Sequence, residues 1–328
     1  MNRLSRFGTQ SLATLSLAAL SLLLAGTPIA AVAADANAAR PNGFDLGAAS
    51  IPIDEIRHGG PPRDGIPAID RPKFVSAREA RLAPDDRVLG VRRGALARAY
   101  PVRLLNWHEI VNDRIGDEPV VVTYCPLCGS GMAFLARAAG QPLEFGVSGL
   151  LYNSDVLMYD RRTESLWSQL MAQAVSGPLR GTRLEALPIE HTTWRDWLAR
   201  NPRTQVLSFD TGFARDYARD PYANYEKVWE LMFPVAHQDV RYDTKEWVLG
   251  LRVGGEAKAY PFSELARTSG TLNDTVGGAK LTVRFDAANR SARAFDGQQR
   301  ELAGVTAFWF AWYAFNPDTK VFKAQAGR

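Results

Sequence analysis

Apolar residues along this chain come mostly in short runs, alternating or continuous, cut by Gly, Pro, Asn and Asp. That is the pattern of strands joined by tight turns. Arg87–Val91 and Leu96–Tyr100 flank Arg92-Arg-Gly-Ala95 and predict a hairpin. Pro101 opens a short helix that runs through Trp107 to Val111, and Asn112-Asp-Arg-Ile-Gly116 predicts the turn that stops it. Pro119–Tyr124 predicts a buried strand, and Leu143–Val147, Val156–Tyr159 and Leu166–Ser168 predict further short strands. Arg161-Arg-Thr-Glu164 is the turn between the last two. Thr193-x-x-Asp196 resembles a capping box and starts a helix over Trp194–Arg200, with Pro202 just past its end. Asp210–Tyr225 is polar and aromatic and predicts a loop. The eight apolar residues Phe308–Phe315 predict a buried strand. The fold class implied is α+β, mostly β.

The pattern also repeats. Residues 88–101 (VLGVRRGALARAYP) and 248–261 (VLGLRVGGEAKAYP) agree at nine of fourteen positions. The match continues at an offset of 161, through Asn112-Asp113 with Asn273-Asp274, Gly116 with Gly277, Tyr124 with Phe285, and Ala133-Phe134 with Ala294-Phe295. It closes, on this reading, with Tyr159–Trp167 against Phe315–Phe322. A repeat of this length implies one folding unit used twice. The predicted organisation is a leader over 1–33, an extended Gly/Pro/Ala-rich segment over 34–70 and copy one over 71–180. A helical and loop insert without a counterpart follows over 181–225, then copy two over 226–328.

Composition narrows the class of protein. Arg3 and Arg6, the apolar run Leu12–Ala25 and Ala31-Val32-Ala33 form a secretion signal with an A-x-A cleavage site. The chain is therefore expected to be exported, to the periplasm or beyond. Loss of Arg3 and Arg6 with the leader lowers the formal charge from +4 to +2. No Lys/Arg run is dense enough for nucleic acid, and no later segment is long and apolar enough to span a bilayer. Two cysteines in a chain this long do not make a disulfide scaffold. No G-x-S-x-G, phosphate loop, H-E-x-x-H or EF-hand loop is present.

The candidate chemistry lies in Tyr124-Cys-Pro-Leu-Cys-Gly-Ser130, which holds both cysteines of the chain. A thioredoxin-like motif would need a helix after Cys128 to lower a thiol pKa. The matching stretch of copy two, 281–297, reads strand–turn–strand, so Cys125 and Cys128 are expected on a hairpin turn. A metal knuckle fits that shape. Copy two offers no second cysteine pair, so other donors are needed. His108 and Glu109 are the candidates, because copy two has Thr268, Ser269 or Gly270 there. Two thiolates with one imidazole suit copper or zinc, and Met132 or Met158 can add a thioether. The alternatives are a thiol–disulfide redox pair and a structural disulfide in a non-catalytic envelope binding module. His58 reads as an ordinary loop histidine, and His191, just before the helix cap, carries no sign of a ligand role.

Several long segments resemble a known family. They are 59–70 (GGPPRDGIPAID), 106–113 (NWHEIVND), 123–130 (TYCPLCGS), 145–155 (FGVSGLLYNSD) and 158–169 (MYDRRTESLWSQ). The family is bacterial and archaeal, catalogued only as a domain of unknown function and found in secreted or envelope proteins. The resemblance covers nearly all of the chain after the leader. It implies no activity, cofactor or partner. It does place His108, Glu109, Cys125, Cys128, Asn153, Asp155, Ser165, Trp167 and Gln169 in signature segments, which makes them candidate site residues.

Overall fold

The computed structural model describes residues 40–325. The candidate leader, 1–33, lies outside the described residues. The chain begins with β1 (Ile56–His58) and β2 (Phe74–Ser76), then the hairpin β3 (Arg87–Arg93) and β4 (Leu96–Pro101). It continues through α1 (Val102–His108), β5 (Ile110–Ile115), β6 (Glu118–Cys125) and β7 (Ser130–Leu135). A small ribbon, β8 (Arg137–Ala138) and β9 (Gln141–Pro142), leads into β10 (Phe145–Tyr152), β11 (Asp155–Asp160), β12 (Leu166–Ser168) and β13 (Gln173–Ala174). Next come β14 (Ala186–Leu187), β15 (Glu190–Thr193), α2 (Trp194–Arg200) and β16 (Gln205–Leu207). The second half holds β17 (Trp247–Val253), β18 (Glu256–Pro261), α3 (Phe262–Leu265), β19 (Thr271–Val276), β20 (Ala279–Asp286) and β21 (Ser291–Asp296). It ends with β22 (Val305–Phe308), α4 (Trp309–Phe315) and β23 (Lys320–Val321). The protein is mostly β: five sheets of three to five strands, arranged like the blades of a propeller, with four short α-helices among the described residues.

The matched segments share their strand pairing, and the residues common to them have structural work. β3–β7 correspond to β17–β21 strand for strand, and Cys125 pairs across its hairpin with Ser130 as Asp286 does with Ser291. Tyr100 donates to Asp113 at 2.5 Å, and Tyr260 to Asp274 at 2.9 Å. Arg98 and Lys258 complete the two sites by pairing with the same aspartates. The common A-Y-P and N-D motifs are this buried Tyr–Asp link made twice.

Two expectations need correction. Asn112–Gly116 does not stop α1 as a turn, because residues 110–115 are strand β5 and α1 already ends at His108. Asn112 and Asp113 resemble turn formers, but their side chains make tertiary hydrogen bonds. Asn112 bridges Asp70 and both backbone groups of Phe145, and Asp113 accepts a hydrogen bond from the Tyr100 hydroxyl.

The end of the repeat also lies elsewhere. β15–α2–β16 packs on β3–β4 as β22–α4–β23 packs on β17–β18, with sheet orders β15-β3-β4-β16 and β22-β17-β18-β23. The sequences agree once aligned at an offset of 115, where 192–204 (TTWRDWLARNPRT) and 307–319 (AFWFAWYAFNPDT) share six of thirteen residues. So 190–207 belongs to copy one, and 309–315 is a helix rather than a strand. The long unmatched segment is the one carrying β8–β13. Trp197 and Trp312 are the buried anchors. Each indole donates to a threonine, Thr204 or Thr319, at 2.9 Å. Each ring lies over a glycine, Gly90 or Gly250, whose added Cβ would sit 2.3 Å or 2.2 Å from it.

The halves also dock reciprocally. The turn after β6 lies against Trp247 and Phe308, with Phe308 N–H donating to Cys128 O at 2.9 Å. The turn after β20 lies against Arg87 and Thr193, with Arg87 donating to Asn289 O at 2.5 Å. Arg87 corresponds to Trp247, and Thr193 to Phe308. Residues 44–51, in the extended N-terminal segment, strap the fold through buried Phe44, Leu46 and Ile51.

Candidate metal centre

The centre is built where two hairpins meet. Cys125 is the last residue of β6, and Cys128 sits in the turn before β7, its N–H donating to Cys125 O at 3.2 Å. Gly129 takes φ +62°, a conformation glycine adopts at little cost, and this closes the turn. Gln169 braces the strand ends, accepting from Ser130 Oγ at 2.6 Å and donating to Thr123 Oγ1 at 2.8 Å. Among the described residues the cysteines head no helix, so neither gains a helix-terminus field.

The second hairpin joins β10 to β11 through Asn153 (φ +52°) and Ser154 (φ +62°), a two-residue turn with both central residues left-handed. This turn aims Ser154 C=O at both sulfurs. Cys128 Sγ donates to it at 3.4 Å and Cys125 Sγ at 3.7 Å. The next residue, Asp155, is fully buried. Its Oδ2 accepts from Leu170 N–H at 3.0 Å and Ser168 Oγ at 3.4 Å, while its Oδ1 has no hydrogen-bond partner. One donor atom from each of Cys125, Cys128 and Asp155 lies within 4.8 Å of the other two. Residues 233–236 cover the turn, since Ser154 Oγ donates to Phe233 O at 2.8 Å and Asn153 Oδ1 accepts from Ala236 N–H at 2.7 Å.

Burial sets the protonation of this group. It pushes the Cys128 thiol well up, with Cys125 adding to the effect. It raises Asp155 to about 7 against the pull of its hydrogen bonds. It raises Glu109 to about 8, with Asp155 adding to the shift. A cation would reverse this by stabilising the ionised forms. Carboxyls raised by burial stabilise the fold while protonated, and that contribution is lost as pH rises through the folded pKa. Metal-free protein should therefore lose stability between about pH 4.5 and 8 through Glu109. Melting across that range checks this: Glu109→Gln should flatten the decline.

The structure gathers only some of the candidates. Cys125, Cys128 and Asp155 come together; Glu109 lies beside them, and Asn153 and Gln169 hold the two hairpins. His108 does not join. It is buried with both ring nitrogens engaged: Nδ1 to Pro67 O at 2.7 Å and Nε2 to Tyr217 Oη at 2.7 Å. The carbonyl can only accept, so Nδ1 carries the proton and Nε2 accepts from Tyr217, which in turn accepts from Thr211. Burial holds the imidazole below its usual range, and it is therefore neutral. His108 pins the 211–217 loop to α1. His108→Ala should cost about 2–3 kcal/mol in denaturant melts through lost hydrogen bonds and packing. Metal content should not change.

Ser165 and Trp167 serve a neighbouring turn. Trp167 Nε1 donates to Asp160 at 2.9 Å, and Ser165 Oγ accepts from Leu179 N–H at 2.9 Å. Met132 and Met158 are buried in the same apolar cluster as the cysteines. Sequence reasoning missed Ser154 and the covering aromatics. Tyr225 and Tyr222 pack into that cluster, and burial pushes both phenols up, with both cysteines adding at Tyr225 and Glu109 and Cys125 at Tyr222. Nothing in the polar loop before Tyr225 signals that contact.

Residues 63–319 match the family described as a protein of unknown function, DUF3179. The chain belongs to this family. No curated protein and no solved structure matches it. The family's function is open, so the reading of this member rests on the site.

Proposed function

We propose that this DUF3179 protein binds one borderline divalent cation through Cys125, Cys128 and Asp155. The observation that carries the reading is the buried carboxylate oxygen Asp155 Oδ1, unpartnered beside two thiols. An orphan buried acceptor costs about 1–3 kcal/mol, and a bound ion would remove that cost. Tetrahedral zinc, with Zn–S about 2.3 Å, places donors roughly 3.5–3.8 Å apart, within reach of small rotamer changes. Two sulfurs with carboxylate oxygen favour zinc over cuprous copper, which prefers soft donors throughout.

A redox pair is the weaker reading, because a reactive thiol needs a lowered pKa and exposure. Cys125 and Cys128 are 2% and 0% exposed, and Cys128 is shifted upward. Elemental analysis of protein purified from its own compartment tests the proposal; about one equivalent of zinc or copper is expected, and metal-free protein carrying a Cys125–Cys128 disulfide would overturn it. We also propose export. N-terminal sequencing of the native protein should begin at Ala34, and an intact Met1 product in the cytosol would refute this.

A further inference from the structure

Glu109 is held in a conformation that its side chain does not favour. It follows α1 with φ +58° and ψ −32°, outside both the helical and extended regions. Its carbonyl accepts from Tyr124 N–H at 2.8 Å. At the matching place in the second half, Gly270 has φ +84° and its carbonyl accepts from Phe285 N–H at 2.7 Å. Both halves therefore demand a positive φ to bring this hydrogen bond into register. The second half meets the demand with glycine, while the first meets it with a β-carbon and a carboxylate. A non-glycine residue at such a φ costs free energy and persists where something else requires the side chain.

The fold gives no reason to keep that side chain. Its carboxylate makes no hydrogen bond or ion pair among the described residues, although the residue is only 8% exposed. The hydrogen bond from Tyr124 N–H to its carbonyl sets Glu109 opposite the residue that precedes Cys125, and its charge acts with burial to hold the Cys128 thiol up. It lies outside the group of three donors that share 4.8 Å, yet no hydrogen bond holds it there. Rotation about its side-chain bonds breaks no contact of that kind. Cys125, Cys128 and Asp155 are 2%, 0% and 0% exposed, so Glu109 is the most solvent-accessible of the four.

We infer that Glu109 is the fourth protein donor, swinging in to close a two-sulfur, two-carboxylate coordination sphere around the ion. The inference rests on the three-donor reading and deepens it. A site with four protein ligands holds its ion without an open position for substrate, so the class of function is capture or structural retention of a divalent cation rather than hydrolysis at a bound water.

Cobalt(II) is the probe, since its visible spectrum reports donor number. Glu109→Gly and Glu109→Gln are compared with wild type. Metal-free Glu109→Gly should melt about 2–4 °C above wild type once the strain and the buried carboxyl are removed. Its cobalt affinity should fall ten- to a hundredfold, and its cobalt spectrum should respond to added azide where that of wild type does not. Glu109→Gln keeps the backbone strain, so it should weaken cobalt without the full gain in melting temperature. Wild-type affinity in both variants would overturn the role of Glu109 and leave the three-donor site standing. A lower melting temperature for metal-free Glu109→Gly would also overturn it, by showing that the side chain supports the fold. Absence of cobalt binding by wild type, with Cys125→Ser no different, would remove both readings.

Discussion

Cys125→Ser, Cys128→Ser and Asp155→Asn should each abolish stoichiometric metal while leaving a folded protein. Loss of one of these three donors, which already face one another in the metal-free site, should weaken binding by at least about a thousandfold, roughly 4 kcal/mol. Little else should change in the serine variants. Each thiol makes a single long hydrogen bond, to Ser154 O, and a serine hydroxyl can make the same kind of contact. Asp155→Asn keeps an acceptor for Leu170 N–H but removes the charge. Elemental analysis and melting of the three variants separate the outcomes. A serine variant that keeps one equivalent of metal would place the site elsewhere; a variant that loses metal only by unfolding would show the cysteines to be structural.

The largest loss of stability should come from the two tryptophan anchors. Trp197→Ala and Trp312→Ala each remove a fully buried indole and the hydrogen bond it donates to Thr204 or Thr319. Each should cost about 3–5 kcal/mol, equivalent to about 5–10 °C in a domain of this size. The two losses should be similar, because the anchors are the same residue in the two copies. The reverse change, Gly90→Ala or Gly250→Ala, pushes a methyl into a rigid ring and should cost about 1–3 kcal/mol. Chemical denaturation of the four variants checks this. A Trp312→Ala protein as stable as wild type would show that the second half does not depend on α4 packing.

The repeat explains both why much of the fold was legible and where the reading slipped. Strands β3, β4 and β6 announce themselves through short apolar runs bounded by turn residues, whereas β5 is hidden because Asn112, Asp113 and Gly116 look like turn formers. Placing Cys125 and Cys128 on a turn followed from copy two, and the β6–β7 hairpin bears it out. The end of the repeat was misplaced because β8–β13 intervene in copy one and shift the offset from 161 to 115. The shared Trp-x-x-Trp-x-Ala-x-Asn-Pro-x-Thr is visible only at the second offset. Without it, Phe308–Phe315 is an apolar run whose periodicity cannot distinguish a buried strand from a buried helix.

By itself, the sequence determined the mostly β class, the duplication, the hairpin carrying the cysteines and the set of residues present in only one copy. These are local or periodic properties, and a single chain displays them directly. Tertiary structure decided which of those residues meet. His108 and Glu109 are neighbours in sequence, yet the end of α1 falls between them. His108 turns back to Pro67 and Tyr217, while Glu109 is left beside the cysteines. Asp155 reaches the sulfurs because the β10–β11 turn folds onto the β6–β7 turn. Spacing along the chain carries no trace of that approach, since it depends on how separate sheets pack.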